Sequence, residues 1–249
     1  VIMIEQDEQG INKALEKINS TYERSVSLGR ISANEKERIL SNFKGLTDLN
    51  SLSDRDLIIE AVFEEMEIKK EVFTKLNTIC SNETILASNT SYLNVNEIAE
   101  VVSNPERVIG LHFFSPANIM KLLEIVVAEK TSNNTVATAF SLAKAMKKIP
   151  VRSGVCDGFI GNRILSKYLV ATYHMVEDGA SVFDIDRVIR DFGCAMGPFQ
   201  VIDLAGGDIG WATRKRKAPS RNKDDRYVEI PDRVCEKGWF GQKTGKGYY

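Results

Sequence analysis

The sequence has few of the features that define disulfide-bonded, metal-binding or membrane-spanning proteins. Its four cysteines are scattered, with no Cys-x-x-Cys pair and no histidine at zinc-finger spacing. This pattern argues against a disulfide framework and a structural metal, so we expect reduced thiols and no metal site. No apolar run approaches the roughly 20 residues that are needed to cross a bilayer, so no membrane partner is expected.

An excess of charge of one sign is also lacking. The 33 basic and 34 acidic residues leave a formal net charge of -1, so no global field would attract the phosphate backbone of a nucleic acid. Nucleic acid is therefore not an expected partner. The 249 residues are 43% hydrophobic and 27% charged, which is typical of globular proteins, and the length allows two modest domains.

Short apolar runs alternate with helical patterns in residues 1–150. Residues 1–4 form a β-branched run that fits a buried parallel strand, and a helical pattern follows over residues 8–28. Further strands are predicted at 56–62, 84–87, 107–112 and 122–127, and further helices at 65–79 and 134–148. Alternating strands and helices predict βαβ units, a parallel sheet and an α/β fold class.

The pattern changes to helices alone after Gly154. Pro150 argues against a continued helix and marks the expected domain boundary. Helices are predicted at 159–177 and 182–192, while the strongly basic segment 214–221 has no apolar period and is predicted to be an exposed loop. We therefore expect a Rossmann-like, doubly wound, mostly parallel sheet in residues 1–150, followed by an all-α C-terminal domain in residues 151–249.

The glycine fingerprint of dinucleotide-binding folds is absent. The motif G-x-G-x-x-G occurs nowhere, since Gly154, Gly158 and Gly161 have a different spacing and introduce a helical region. The chain opens without Met on an apolar run, and a fingerprint would lie about 20 residues upstream of Glu5. We therefore expect a fragment in which the first strand and the glycine-rich loop are missing.

Polar residues at the carboxyl ends of strands are the candidates for ligand binding in a doubly wound sheet. Glu5 follows the first run and could accept hydrogen bonds from the ribose hydroxyls of a cofactor, although a surface glutamate fits equally well. Residues 88–91 (Ser-Asn-Thr-Ser) follow another strand. Taken alone, this run is explained as a turn that caps a helix.

His112 and Glu124 are the candidates for acid/base chemistry. Histidine side chains have an ordinary pKa of about 6.5, which suits proton transfer at neutral pH. Glu124 lies inside an apolar strand, where a carboxylate is rare without a partner. A nearby carboxylate could orient the imidazole and stabilise its charged form. An ion pair that only stabilises the fold explains the two residues as well.

Taken together, these segments resemble the L-3-hydroxyacyl-CoA dehydrogenase family. The resemblance extends over the whole chain and is carried by motifs in family order at 58–64 (IIEAVFE), 87–91 (ASNTS), 110–116 (GLHFFSP), 120–124 (MKLLE), 157–163 (DGFIGNR), 196–199 (MGPF) and 240–249 (FGQKTGKGYY). The stretch 230–241 is most similar to the dehydrogenase part of peroxisomal multifunctional β-oxidation enzymes.

The resemblance implies NAD-dependent oxidation of L-3-hydroxyacyl-CoA to 3-ketoacyl-CoA. It makes His112 the general base, oriented by Glu124, and gives Ser91 and Asn162 hydrogen bonds to the C3 oxygen. The implied cofactor contacts are Glu5, Glu64, Lys69, Asn89, Ser91 and Lys243.

Other implied contacts involve the acyl-CoA substrate, for which the family pattern points to Thr21 and Ser91. A lysine expected after Thr21 is replaced by Leu28, and Arg24 or Arg30 could substitute for it. Lys69 taken alone is explained as an exposed helix lysine.

The sequence leaves several alternatives open. The chain could be a truncated, catalytically silent fragment that retains at most acyl-CoA binding, with weak NAD binding and poor stability if it is the entire polypeptide. A β-hydroxyacid dehydrogenase without CoA is disfavoured, because a lysine-centred site would be expected. The resemblance implies either a homodimer or further domains of a multifunctional enzyme. It also implies a peroxisomal location, with the mitochondrial matrix or cytoplasm as alternatives.

Overall fold

Two structural units make up the chain. The computed structural model describes all residues from 1 to 249, and backbone contacts divide them into Val1–Ile160 and Gly161–Tyr249. None of the helices combines the length and the apolar composition that spanning a bilayer would require.

The first unit begins with a small parallel sheet. It consists of β1 (Ile2–Ile4) and β2 (Lys44–Leu46), which are joined by helices α1 (Glu8–Ser27) and α2 (Ala33–Leu40). Asp7 caps α1 by accepting the backbone N–H of Gly10 at 2.7 Å. Gly45 in β2 permits the close approach of α1, because an added methyl group there would lie 2.1 Å from Cγ2 of Ile11.

A five-stranded sheet forms the centre of the first unit. Its strands are β3 (Leu57–Glu60), β4 (Ile85–Ser88), β5 (Val108–Phe113), β6 (Leu122–Val127) and β7 (Ile149–Gly154), and they are hydrogen-bonded in that order. All neighbouring strands are parallel except β5 and β6, which are antiparallel. The predicted mostly parallel α/β sheet is therefore confirmed, with one antiparallel pair that the sequence pattern did not reveal.

Helices pack on both faces of this sheet, as a doubly wound fold requires. They are α3 (Met66–Ile79), α4 (Val95–Ala99) and α5 (Asn133–Ala145). Leu86 belongs to the apolar cluster that contains residues of α3 and α4, whereas Ala87 belongs to the cluster that contains residues of α5. Phe73 and Leu86 are fully buried, which contributes about 1.5–3 kcal/mol each.

The second unit is helical, as the sequence predicts. Its helices are α6 (Gly161–Glu177), α7 (Val182–Asp191), α8 (Pro198–Ala205), α9 (Gly207–Lys217) and α10 (Ile230–Glu236). Two buried carboxylates organise it. Asp186 accepts the backbone N–H groups of Phe199 and Gln200, and Asp203 accepts those of the last two residues, Tyr248 and Tyr249. These bonds hold the C-terminal segment against α8.

The predicted loop at 214–221 is wrong over its first half, because α9 continues to Lys217. The ammonium group of Lys215 lies 3.1 Å from the ring centroid of Trp211, one helical turn away. Arg214 pairs with Asp232 of α10 at 2.9 Å. Basic residues in a last helical turn also interact favourably with the helix dipole. The contacts with Trp211 and Asp232 therefore stabilise this basic segment as a helix, although it has no apolar periodicity.

Candidate active site

His112 and Glu124 face each other across two neighbouring strands. The antiparallel register of β5 and β6 pairs them directly, with Nδ1 of His112 2.6 Å from Oε2 of Glu124. Both side chains are buried. An ionised carboxylate only accepts hydrogen bonds, so we assign the Nδ1–H to His112, which leaves Nε2 as the basic nitrogen. The pair can therefore take up a proton at Nε2 while Glu124 stabilises the imidazolium.

Two phenylalanines flank the imidazole ring. The ring centroids of Phe114 and Phe159 lie 4.5 Å and 5.6 Å from that of His112. Phe159 is buried and has a φ of 46°, a left-handed conformation that costs about 1–2 kcal/mol in a residue with a side chain. The next residue, Ile160, donates its N–H to Oε1 of Glu124 at 2.9 Å. Each carboxylate oxygen of Glu124 therefore has a partner that restricts its orientation.

Asn89 links three strand ends next to His112. Its backbone N–H donates to the carbonyl oxygen of Glu60 at 2.8 Å, and its side-chain oxygen accepts the backbone N–H of Phe113 at 2.9 Å. The residue thus fixes the spacing of β3, β4 and β5 at their carboxyl ends. Its predicted contact with a cofactor stays a prediction.

Glu64 holds the turn that contains Ser91. One of its carboxylate oxygens accepts the hydroxyl of Thr90 at 2.5 Å and the backbone N–H groups of Ser91 and Tyr92 at 2.7 Å and 3.0 Å. The other oxygen lies 3.4 Å from the ammonium group of Lys69. Glu64 therefore connects the loop after β3 to the loop after β4.

The pKa of Glu64 lies below its ordinary value. Burial alone would raise the pKa, but the hydrogen bonds from Thr90, Ser91 and Tyr92 and the charge of Lys69 outweigh it. A depressed carboxyl pKa stabilises the folded state fully above the unfolded-state value of about 4.3, and this contribution is lost as the pH falls through the folded-state pKa.

We expect Glu64→Gln to make the free energy of unfolding less dependent on pH in the acid range. Its free energy of unfolding, measured by urea denaturation, should fall less between about pH 5 and pH 3 than that of the unmodified protein. Equal losses in the two proteins over this range would contradict the assigned contacts of Glu64.

Lys69 is buried, although a lysine in a helical pattern would on its own be predicted to be exposed. It is 1% exposed, and its ammonium group lies 2.7 Å from Oε1 of Glu60, which is equally buried. Glu60 also accepts the hydroxyl of Ser88 at 2.7 Å through its other oxygen. Sequence reasoning missed Glu60, although a carboxylate that closes an apolar strand is a signal that could have identified it.

The predicted CoA contact Thr21 lines a cleft of about 630 Å³ in the first unit. Lys17, Arg30 and Ile119 also line it, whereas Arg24 and Leu28 do not. The cleft offers two cationic side chains beside apolar walls. Glu5 lies elsewhere, exposed at the end of β1, and has no salt-bridge partner within the 249 residues.

Asn162 and Lys243 belong to the second unit. Asn162 lies in the first turn of α6 and is half-buried. Lys243 lies in the short helix Gln242–Thr244 and pairs with Asp208. The roles that the resemblance gives to these two residues stay predictions.

Two family models match the chain in comparisons with known proteins. A family model described as "3-hydroxyacyl-CoA dehydrogenase, NAD binding domain" matches residues 1–156, and one described as "3-hydroxyacyl-CoA dehydrogenase, C-terminal domain" matches residues 158–249. The chain belongs to the 3-hydroxyacyl-CoA dehydrogenase family. Residues 1–156 are therefore the NAD-binding domain of that family.

Members of the 3-hydroxyacyl-CoA dehydrogenase family with similar sequences or structures come from several organisms. The "Peroxisomal bifunctional enzyme" of Homo sapiens is 43% identical over 264 residues, which cover all of this chain and 36% of that protein. The crystal structure of FadB2 from M. tuberculosis has a TM-score of 0.93 at 34% identity and covers all of this chain and 89% of that one. A 3-hydroxybutyryl-CoA dehydrogenase from Escherichia coli also reaches 0.93, at 33% identity, covering all of this chain and 54% of that one.

The chain thus spans about a third of the length of the curated bifunctional relatives that it matches. The predicted similarity to the dehydrogenase part of peroxisomal multifunctional enzymes is confirmed, and the names of these relatives support a peroxisomal location.

Proposed function

We propose that this chain oxidises the C3 hydroxyl of L-3-hydroxyacyl-CoA esters to a ketone with NAD, or catalyses the reverse reaction. The observation that carries the proposal is the buried pair of His112 and Glu124 at 2.6 Å, beside the loop that contains Ser91. The names of relatives that include fatty acid β-oxidation support this substrate class.

The proposed mechanism couples proton removal to hydride transfer. His112 takes the proton of the C3 hydroxyl at Nε2, and Glu124 stabilises the resulting imidazolium through Nδ1. Ser91 hydrogen-bonds the C3 oxygen while it becomes a carbonyl oxygen. Bound NAD supplies the acceptor for the hydride that leaves C3. The electron pair of the O–H bond forms the new C=O bond, and the electron pair of the C3–H bond leaves with the hydride.

The chemistry of the strand ends fits NAD. Glu5 is exposed and without a salt-bridge partner, so its carboxylate is available to accept hydrogen bonds from ribose hydroxyls and would repel the 2′-phosphate of NADP. Glu64, Asn89 and Ser91 are the further residues of the first unit proposed to hold the cofactor.

For the CoA portion, we propose the cleft beside α1. Lys17 and Arg30 would face the phosphates, and Thr21 would contact the adenosine end.

We expect Arg30→Ala to raise the KM for an acyl-CoA ester by about two- to fivefold, with little change in kcat. This factor corresponds to the free energy that an exposed ion pair contributes. Arg24→Ala is the matched control, because Arg24 does not line the cleft. Equal effects of the two changes would contradict this placement.

The test of the reaction is NADH formation by this chain from L-3-hydroxybutyryl-CoA and from a longer L-3-hydroxyacyl-CoA. The expected result is NADH from the esters and none from free L-3-hydroxybutyrate. Activity on the free acid alone would favour a β-hydroxyacid dehydrogenase without CoA. Binding of the esters without NADH formation would favour the catalytically silent alternative.

We also propose that the partners of this chain are further domains of a multifunctional enzyme and not a second copy in a homodimer. The bifunctional relatives are nearly three times longer than the part that this chain matches.

A further inference from the structure

Residues 117–120 form a turn in the loop between β5 and β6. Asn118 and Ile119 of this turn line the cleft proposed for the CoA portion. The backbone N–H groups of Ile119 and Met120 both donate to the carbonyl oxygen of Pro116 at 2.9 Å. Ile119 is 68% exposed, so little of the protein covers its side chain. The turn therefore places an uncovered apolar side chain on the wall of the cleft.

Lys148 contacts this turn from outside the loop. Its ammonium group donates hydrogen bonds to the carbonyl oxygens of Ala117 and Met120, the latter at 2.7 Å. These two residues are the ends of the turn, and hydrogen bonds from a charged donor are stronger than those from a neutral one. The next residue, Ile149, donates its N–H to the carbonyl oxygen of Lys121 at 2.8 Å. The start of β7 therefore joins the two ends of the turn and fixes the residue that follows it.

The end of α5 places Lys148 at this position. The N–H of Lys148 donates to the carbonyl oxygen of Ala143, and the N–H of Lys147 donates to that of Lys144, both at 2.9 Å. This is the pattern of a Schellman motif. Lys147 has a φ of 56° within it, a left-handed conformation that is usually left to glycine. The chain thus reverses sharply at Lys147 and enters β7 directly after Lys148.

We infer that Lys148 is a positioning residue for acyl-CoA binding, because it holds the turn that carries Ile119 on the cleft wall. An acyl-CoA ester has an apolar arm next to its phosphates, and Ile119 offers an apolar contact in the same cleft as the cations Lys17 and Arg30. The identity of the ligand rests on the proposed function. The effect of Lys148 on the turn requires no ligand.

The first test is backbone amide exchange at Ile119 and Met120 in the ligand-free protein. Lys148→Met should accelerate exchange at both amides by about three- to tenfold, because the turn loses the charge-assisted hydrogen bonds at its two ends. Lys148→Arg keeps a charged donor and should accelerate exchange less. Lys144→Met is the matched control, because Lys144 is exposed in the last turn of α5. Unchanged exchange in Lys148→Met would overturn the inference.

Two measurements cover the case in which Lys148→Met destabilises the whole unit. The amides of Leu123 and Ile125 in β6 should keep their protection, which separates a local effect from general unfolding. In the unmodified protein, the ammonium hydrogens of Lys148 should exchange with solvent about tenfold more slowly than those of Lys144, because only the former are hydrogen-bonded to the turn. Equal rates for the two ammonium groups would overturn the inference without any variant.

The kinetic test uses Lys148→Met with L-3-hydroxybutyryl-CoA. Its KM for the ester should rise by about three- to tenfold, while its KM for NAD stays unchanged. Ile119→Ala should raise the same KM. The double variant should raise it by no more than the larger single effect, because both changes remove one contact. Effects that multiply would show that Lys148 acts on the ester independently of Ile119, and would overturn the inference.

Salt dependence separates positioning from a direct contact between Lys148 and the CoA phosphates. A direct contact would make the KM for the ester less dependent on ionic strength in Lys148→Met than in the unmodified protein. The positioning role predicts the same dependence in both, and a weaker dependence in the variant would overturn it. If the unmodified chain forms no NADH, the proposed function fails, while the exchange rates of Ile119, Met120 and the Lys148 ammonium group still decide whether Lys148 holds the turn.

Discussion

Replacement of His112 by Gln is expected to lower kcat for L-3-hydroxyacyl-CoA oxidation by about 10²–10⁴-fold, the usual contribution of a general base. Gln keeps a polar side chain of similar reach but cannot accept a proton at neutral pH. The KM values for NAD and for the ester should change little, because the proposed role of His112 is in proton transfer rather than in binding. Steady-state NADH formation over a range of both substrates measures these constants.

Two further variants complete this test. His174→Gln changes the only other histidine, which lies in α6 of the second unit, and should retain activity. Glu124→Gln should also lower kcat substantially, because an amide cannot stabilise the imidazolium as a carboxylate does. A loss of less than about tenfold in His112→Gln would contradict the role of His112 as the general base.

Gly241→Ala is expected to lower the free energy of unfolding of the second unit by about 2–6 kcal/mol. Gly241 has φ 90° and ψ -150°, a conformation that side chains other than hydrogen rarely permit. In addition, an added methyl group would lie 2.2 Å from the carbonyl oxygen of Asp203. Strain and overlap therefore act together at this position.

Gly238→Ala is the matched control for this prediction. Gly238 also has a positive φ, 73°, but an added methyl group there would meet nothing within 4 Å. The expected loss is only the backbone strain of about 1–2 kcal/mol. Urea unfolding followed by the fluorescence of Trp211 and Trp239 reports on this unit, since both tryptophans lie in it. Equal losses in the two variants would show that contact with Asp203 contributes nothing.

Much of the fold was predictable because its elements follow local patterns. The strand predicted at 122–127 agrees with β6 at both ends, and the helix predicted at 8–28 agrees with α1 to within one residue. Apolar runs and helical periodicity reflect burial on the faces of single elements. The direction in which β6 pairs with β5 was not predictable, because strand direction depends on the connection and not on the pattern within a strand.

The candidate site was predictable only in part for a related reason. Glu124 stood out because a carboxylate within an apolar strand needs a partner, and its partner in the structure is His112. Burial of Lys69 was not predictable from α3, because the pattern of a helix does not reveal a carboxylate nine residues earlier at the end of a strand. Likewise, the helix that ends at Lys217 depends on Trp211 and on Asp232 from another helix.

The transfer of deuterium from C3 of the substrate tests the central claim most directly. L-3-hydroxybutyryl-CoA that carries deuterium at C3 would be incubated with this chain and NAD, and the NADH formed would be analysed by mass spectrometry. We expect NADH that carries one deuterium in its nicotinamide ring, and we expect His112→Gln to form it at a much lower rate. NADH without deuterium, or no NADH from the unmodified chain, would contradict hydride transfer from C3.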